Sequence, residues 1–303
     1  MQIHTCLWND VEAFDFSDDD FAPLRALPGV AVTPHRRVPD FLAAAAEAEC
    51  VLTWDWEAPW YDHCPRLRYV MTPAAGKDWV APDPAGRVRV IHGTFHGPIL
   101  AESLLQAVLF MNHRGPGLMA NHRNRAWDRN LQRDCRLLRH QHALIIGHGE
   151  IGAHVATLLR ATGVQVSGVR RTPTTDPHVY PMDALPELLP AADHVVLLLP
   201  GNEETNGFMT ADRLALMKPG SCLYNFGRGN VLPEQNLLDA LDHLYGAFLD
   251  VTPDEPLPAA SPLWTHPRVM ITPHSSSVYA DYRPMFIAEV EAFLRETGAV
   301  DNP

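Results

Sequence analysis

The stretch "HALIIGHGEIGAHVATLLRATGVQVSGV", residues 142–169, constrains the fold more tightly than any other part of the chain. A short apolar run (142–146) leads into Gly147, Gly149 and Gly152; helical periodicity over 150–163 stops at Gly163; a second apolar run fills 164–169. Strand, glycine loop, helix and strand in that order form a βαβ unit, whose two strands lie parallel. Further apolar runs at 194–200, 221–227, 245–251 and 269–274 extend the sheet, and helical stretches at 210–217 and 233–244 lie between some of them. Strands that are apolar throughout are buried on both faces, so helices must cover both sides of the sheet.

The first 95 residues read as another such unit, with strand candidates at 2–8, 30–34, 50–54 and 68–73 and a helix over 39–49. One long helix is predicted over 97–114 and a last one over 277–298, while the locally basic 121–140 reads as a solvated helix face. A chain of 303 residues suggests about two domains. The expected class is α/β, with two doubly wound parallel-sheet domains. A C-terminal helix that returns to the first unit would leave the second (96–274) inserted in a domain made of 1–95 and 275–303.

Composition narrows the function classes. No apolar run approaches the ~20 residues of a membrane span, and the N-terminus lacks the basic-then-apolar pattern of a signal peptide, so a cytoplasmic location is expected. A formal charge of −12 disfavours nucleic acid as a partner. The five cysteines are scattered with no C-x-x-C pair, and they read as reduced packing residues. Among the sixteen histidines, His92 and His96 sit in a presumed loop with Gly93 and Gly97, and His140 and His142 flank a strand entrance. Neither pair has a carboxylate at ligand spacing, so no metal is expected.

The glycines carry the first chemistry. Gly147 permits a tight turn, Gly149 lets the backbone approach a pyrophosphate, and Gly152 allows close packing of helix on sheet. Glu150 and Ile151 open the helix whose free N–H groups face the phosphates. About 20 residues on, NAD-preferring loops place an acidic residue for the ribose hydroxyls. That place falls on Arg170. A guanidinium cannot accept a hydroxyl hydrogen bond, but it clamps a 2′-phosphate with paired donors. Arg171 and Thr172 either join that pocket or solubilise a loop. NADP(H) is therefore the preferred cofactor, with NAD(H) as the alternative.

Four segments then resemble the D-2-hydroxyacid dehydrogenase family, close to its glyoxylate/hydroxypyruvate reductases: "LLLPGNEETNGFM" (197–209), "MKPGSCLYNFGRGNVL" (217–232), "GAFLDVTPDEPLP" (246–258) and "VMITPHSSS" (269–277). "TPAAGKDWV" (72–80) and "GPILAES" (97–103) resemble its substrate loop and bridging helix more loosely. The resemblance implies a Rossmann cofactor domain inserted in a flavodoxin-like substrate domain, usually paired in a homodimer, and hydride transfer to a small 2-oxo acid. Its catalytic arginine falls on Arg228, its acid on Glu255 and its histidine on His274. A histidine is a natural proton donor near neutral pH, a neighbouring carboxylate favours the imidazolium, and an arginine holds a carboxylate and the developing charge. Substrate would also meet the backbone at Ala75, Gly76 and Lys77. By the same resemblance Pro200 would close the adenosine side, the backbone at Phe226 and Gly227 would line the nicotinamide ring, and Asp250 would either accept from the nicotinamide amide or be a structural acceptor.

Gly227 replaces the family's usual alanine and is expected to loosen that loop slightly; His148 stands in the glycine loop where an apolar residue is commoner. Lys77, one of only two lysines, either binds a second polar group of the substrate or is surface charge. Trp54 and Trp56 alternate, so they point to opposite faces, and Trp54 is the candidate pocket wall. The competing reading is a dinucleotide-sensing interaction protein of the same fold with little turnover.

Overall fold

In a computed structural model the described residues are 1–298; the end of the expected C-terminal segment, 299–303, lies outside them. The chain forms two compact units, Met1–His96 with the chain from Val278 onward, and Gly97–Ser277.

The first unit holds five parallel strands: β1 (Gln2–Cys6), β2 (Ala31–Pro34), β3 (Cys50–Thr53), β4 (Tyr69–Thr72) and β5 (Arg89–His92), in the order β2-β1-β3-β4-β5. Chain direction across the sheet reverses between β1 and β3, which makes it doubly wound. One face is covered by a cluster including Phe41, Val51, Trp56, Tyr61 and Val70. The helix Tyr282–Glu296 belongs to this unit and buries Tyr282, Phe286, Val290 and Leu294 at near four-residue spacing. It starts five residues later than the periodicity of 277–298 suggests, because the segment ahead of Tyr282 is taken up by turns.

The second unit holds β6 (His142–Ile146), β7 (Gln165–Val169), β8 (Val179–Tyr180), β9 (His194–Leu197), β10 (Cys222–Asn225), β11 (Gly246–Leu249) and β12 (Val269–Ile271). All are parallel, ordered β12-β11-β10-β9-β6-β7-β8. Successive residues feed opposite faces: Leu144, Ile146, Val195 and Leu197 join one core, Ala143, Ile145 and Val196 the other. That is why these strands read as unbroken apolar runs. The order reverses between β6 and β9, so the loop after β6 opens at the switch point of the sheet.

Several elements depart from expectation. The helix over 39–49 is α only at Val38–Ala44 and tightens to a 3-10 turn at Ala45–Glu47. The basic stretch is α-helical only within Gly115–Asn124, which ends at Arg125 with φ 55°, and a 3-10 turn follows at Leu138–His140. His92 and His96 do not share a loop: His92 ends β5, and His96 opens the helix His96–Asn112. Strands β5 and β8 went unforeseen because Arg89–His92 and the two-residue Val179–Tyr180 are too short and polar to stand out.

Candidate active site

The βαβ unit places the glycine loop against the end of β7. Both Gly147 N–H and His148 N–H donate to Val169 O, at 2.9 and 3.0 Å. Gly147 has φ +101°, and a Cβ there would lie 2.6 Å from Leu198 O, so neither its turn nor its packing admits a side chain. Gly149 N-caps the helix Glu150–Ala161 with no side-chain hydrogen bond, and the space beside its Cα is open. Uncapped first-turn N–H groups beside an open glycine fit a pyrophosphate. Ile151 packs against the core behind the loop.

Arg170 follows β7 half-buried, its N–H donating to Tyr180 O at 3.1 Å. The short β8 thus fixes its backbone, although its side chain carries the charge. Arg171 is exposed and ion-paired with Glu204. Pro200 is exposed beyond β9, and the Arg228 stem is close enough that a Cβ on neighbouring Gly201 would lie 2.9 Å from Arg228 Cγ.

Beyond β10 the backbone turns through Phe226, Gly227 and Arg228. Asn225 Oδ1 accepts from Gly227 N–H at 3.2 Å, and its Nδ2 donates to Arg228 O at 3.1 Å. Phe226 is buried and stacks on Phe248. Gly227 does not loosen this loop, contrary to expectation: a Cβ there would lie 2.5 Å from Leu199 O, and one at Gly229 only 1.8 Å from Thr252 O. Glycine is required because two backbone segments touch.

After β11, Asp250 is 2% exposed and its carboxylate organises the next turn. Its Oδ1 accepts from Thr272 Oγ1 at 2.7 Å and Ser275 N–H at 2.9 Å, and its Oδ2 from Ser276 N–H at 3.2 Å. That network holds His274 at φ 49°, a left-handed conformation that a side chain adopts only under constraint. His274 Nδ1 lies 2.8 Å from Glu255 Oε2, while Glu255 Oε1 accepts from Thr252 N–H at 3.1 Å. With Nδ1 turned to a carboxylate, the ring carries a hydrogen there and Nε2 lies on the edge away from Glu255.

The hydrogen bond that His274 donates to Glu255 raises its pKa above 6.5 against the pull of burial, with the Glu255 and Asp250 charges adding to it and Arg228 opposing. Partial burial pushes the Glu255 carboxyl up, but the His274 bond and charge, the Thr252 N–H and Arg228 together bring it below its ordinary 4.5. Each group thus favours the charged form of the other, within the field of Arg228. One sheet edge of this unit brings together Arg228, Glu255, His274, Asp250, the 226–227 backbone and the glycine loop.

Trp54, Ala75, Gly76 and Lys77 belong to the other unit. Ala75 and Gly76 are half-buried and Lys77 is exposed, after β4. The 74–76 backbone is tied to the end of β5, since Gly93 N–H donates to Ala74 O at 3.2 Å and His92 hydrogen-bonds the Gly76 backbone. Trp54 and Trp56 do enter different clusters: Trp56 with Phe41 and Tyr61, Trp54 beside Phe14, Phe16 and Tyr282. Asn225 and Thr252 were missed, because a polar residue ending a strand looks like any turn former. Among the described residues, no group of three or more His, Cys, Asp or Glu could hold a metal ion.

Residues 105–276 match the family model described as D-isomer specific 2-hydroxyacid dehydrogenase, NAD binding domain. A glyoxylate/hydroxypyruvate reductase A from Enterobacter sp. (strain 638) is 39% identical over 158 residues, covering 50% of this chain and 49% of its own length. A protein of the same name from Salmonella paratyphi B is 38% identical over 168 residues, 52% of this chain and 54% of its own. The chain spans about half the length of the curated relatives it matches. A D-isomer specific 2-hydroxyacid dehydrogenase from Xanthobacter autotrophicus Py2, solved with NADPH and MES, aligns with TM-score 0.81 at 29% identity, covering 98% of this chain and 95% of that one. The family match takes in more than half of the sequence, up to the turn that carries His274, and the chain therefore belongs to the D-isomer specific 2-hydroxyacid dehydrogenase family.

Proposed function

We propose that this protein is an NADPH-dependent reductase of small 2-oxo acids of the glyoxylate and hydroxypyruvate type, forming D-2-hydroxy acids. The observation that carries the reading is the His274–Glu255 pair, with its raised imidazole pKa, on the same sheet edge as the glycine loop and Arg228. NADPH, when bound, supplies the hydride. Arg228 holds the substrate carboxylate and stabilises negative charge as it develops on the oxo oxygen. The His274 Nε2 proton passes to that oxygen, and Glu255 keeps the ring oriented and its cation favoured. Ala75, Gly76 and Lys77 meet the substrate carboxylate through their backbone, and Trp54 serves as a pocket wall.

Gly147, Gly149, Glu150, Ile151 and Gly152 form the dinucleotide cradle, and Arg170, with Arg171, selects the 2′-phosphate. That reading is supported by the guanidinium standing where a ribose-binding acid would be, and by the NADPH bound to the Xanthobacter relative. Pro200, Phe226, Gly227 and Asp250 line the remainder, Asp250 doubling as the clamp on the His274 turn. The reading is tested by initial rates of NADPH and NADH oxidation with glyoxylate, hydroxypyruvate, pyruvate and phenylpyruvate. A marked NADPH preference that Arg170→Ala abolishes supports it. No turnover with any of these acids turns the reading toward the sensing protein.

A second copy of this chain is the proposed macromolecular partner. Leu109, Leu118, Met119, Leu137 and Trp127, the last 93% exposed, are apolar side chains in one segment of the second unit. Sedimentation of the wild type as a dimer and of Trp127→Glu as a monomer is the expected result. No helix among the described residues is long and apolar enough to cross a membrane.

A further inference from the structure

One histidine of the glycine loop has no task in the reaction above. His148 is 7% exposed, and its Nε2 is buried without a hydrogen-bond partner. A buried polar atom left unpaired is costly, so it needs an explanation. The chain makes room for the ring: a Cβ at Gly168 would lie 2.3 Å from His148 Cδ2 and 2.6 Å from its Cγ. The imidazole thus fills the place of the absent Gly168 side chain at the end of β7. Gly168 and Arg170 are two residues apart along an extended backbone, so they present to the same side. Arg170 is therefore the next group along the face on which the His148 ring lies.

We propose that His148 is a second reader of the ribose 2′-phosphate, sharing that group with Arg170 and taking up a proton as the phosphate binds. This rests on the NADP(H) reading above. Burial first, then the charges of Arg160 on the helix and Arg170 after β7, hold the free imidazole toward its neutral form; its own backbone carbonyl and Asp176, from the loop before β8, favour the cation. A phosphate dianion at Arg170 cancels that guanidinium's repulsion and supplies a negative partner, so the imidazolium is favoured in the complex. NADP(H) binding then takes up a proton, and NAD(H) binding does not.

The sign follows from linkage. Between the pKa of His148 in the free protein, below 6.5, and its higher value in the complex, NADP(H) affinity falls as pH rises, by at most about tenfold per pH unit. The phosphate's own second ionisation, near pH 6, acts in the opposite direction and is nearly complete above about pH 7. A decline from pH 7 upward therefore belongs to the protein.

The experiment measures Kd for NADPH and NADH from pH 6.5 to 8.5, with proton uptake from calorimetry in two buffers of different ionisation enthalpy. It compares wild type, His148→Leu, His148→Gln and Arg170→Ala. Wild type is expected to bind NADPH with proton uptake and with affinity declining above pH 7. Both His148 variants should lose the uptake and bind NADPH roughly tenfold more weakly at pH 7, as for one lost charge-assisted bond, with NADH affinity held within about twofold. Unchanged NADPH affinity and uptake in His148→Leu would overturn the proposal. So would an equal loss for NADPH and NADH in both His148 variants, which marks a loop-packing role. Failure of the underlying cofactor reading looks different: wild type binds the two nucleotides equally, and Arg170→Ala changes neither.

Discussion

The two units share an architecture and differ in what stands at the carboxyl ends of their strands. Both are parallel, doubly wound sheets. In the second unit the edge is built from backbone against backbone: Gly147 on Leu198, Gly227 on Leu199 and Gly229 on Thr252, with Asp250 clamping the turn of His274. In the first unit the edge after β3 is built from side-chain bulk, with Trp54 beside Phe14, Phe16 and Tyr282. Backbone close approach fixes a turn tightly, because no side chain is left to rotate and give way. Aromatic packing shapes a surface and tolerates replacement of one ring by another.

That difference sets the order of expected effects. His274→Ala should lower kcat for 2-oxo acid reduction by roughly 10²–10⁴-fold, the usual worth of a positioned general acid, with NADPH Kd unchanged by equilibrium titration. Full activity would remove the chemistry from this edge altogether. Gly229→Ala should destabilise the fold by about 3 kcal/mol in urea unfolding, since a backbone carbonyl rather than a movable side chain meets the new methyl. A loss under about 1 kcal/mol would mean that the 228–230 backbone gives more easily than its contacts imply.

Lys77→Ala should raise KM about tenfold for larger or dianionic acids and leave glyoxylate little changed, as for one lost charged hydrogen bond. An unaltered substrate ranking would make Lys77 surface charge. Glu255→Gln should move the alkaline limb of the kcat/KM profile to lower pH. The sign follows because the carboxylate raises the His274 pKa: the donor form persists below that pKa and is lost as pH rises through it, so a weaker partner brings the loss to lower pH. The smallest effect is expected from Trp54→Phe, whose indole Nε1 is buried without a partner. Removing an unpaired donor while keeping a ring should change stability by less than about 1 kcal/mol. A larger loss would show that this aromatic edge is as exacting as the glycine edge.

Much of the second unit was legible because its constraints are local. A glycine loop between an apolar run and a helix admits few backbones, and the segments bearing Arg228, Glu255 and His274 are each short and bounded by Gly or Pro. The first unit was less legible. Its β5 is short and partly polar, and its loop chemistry depends on contacts between segments far apart in the chain, as when Thr94 meets Glu289.

By itself the sequence determined the parallel α/β class, the position of the glycine loop, the cation at Arg170 and the order of Arg228, Glu255 and His274 along the chain. Period, turn chemistry and spacing act within a few residues and survive without a partner segment. Only the tertiary structure decided that Gly227 is a close contact and not a loose joint, that Asp250 clamps the His274 turn, and that Arg171 is paired with Glu204. It also decided that His148 lies buried beneath a bare glycine. Each of these is a contact between strand ends distant in sequence, and their proximity exists only once the sheet has formed.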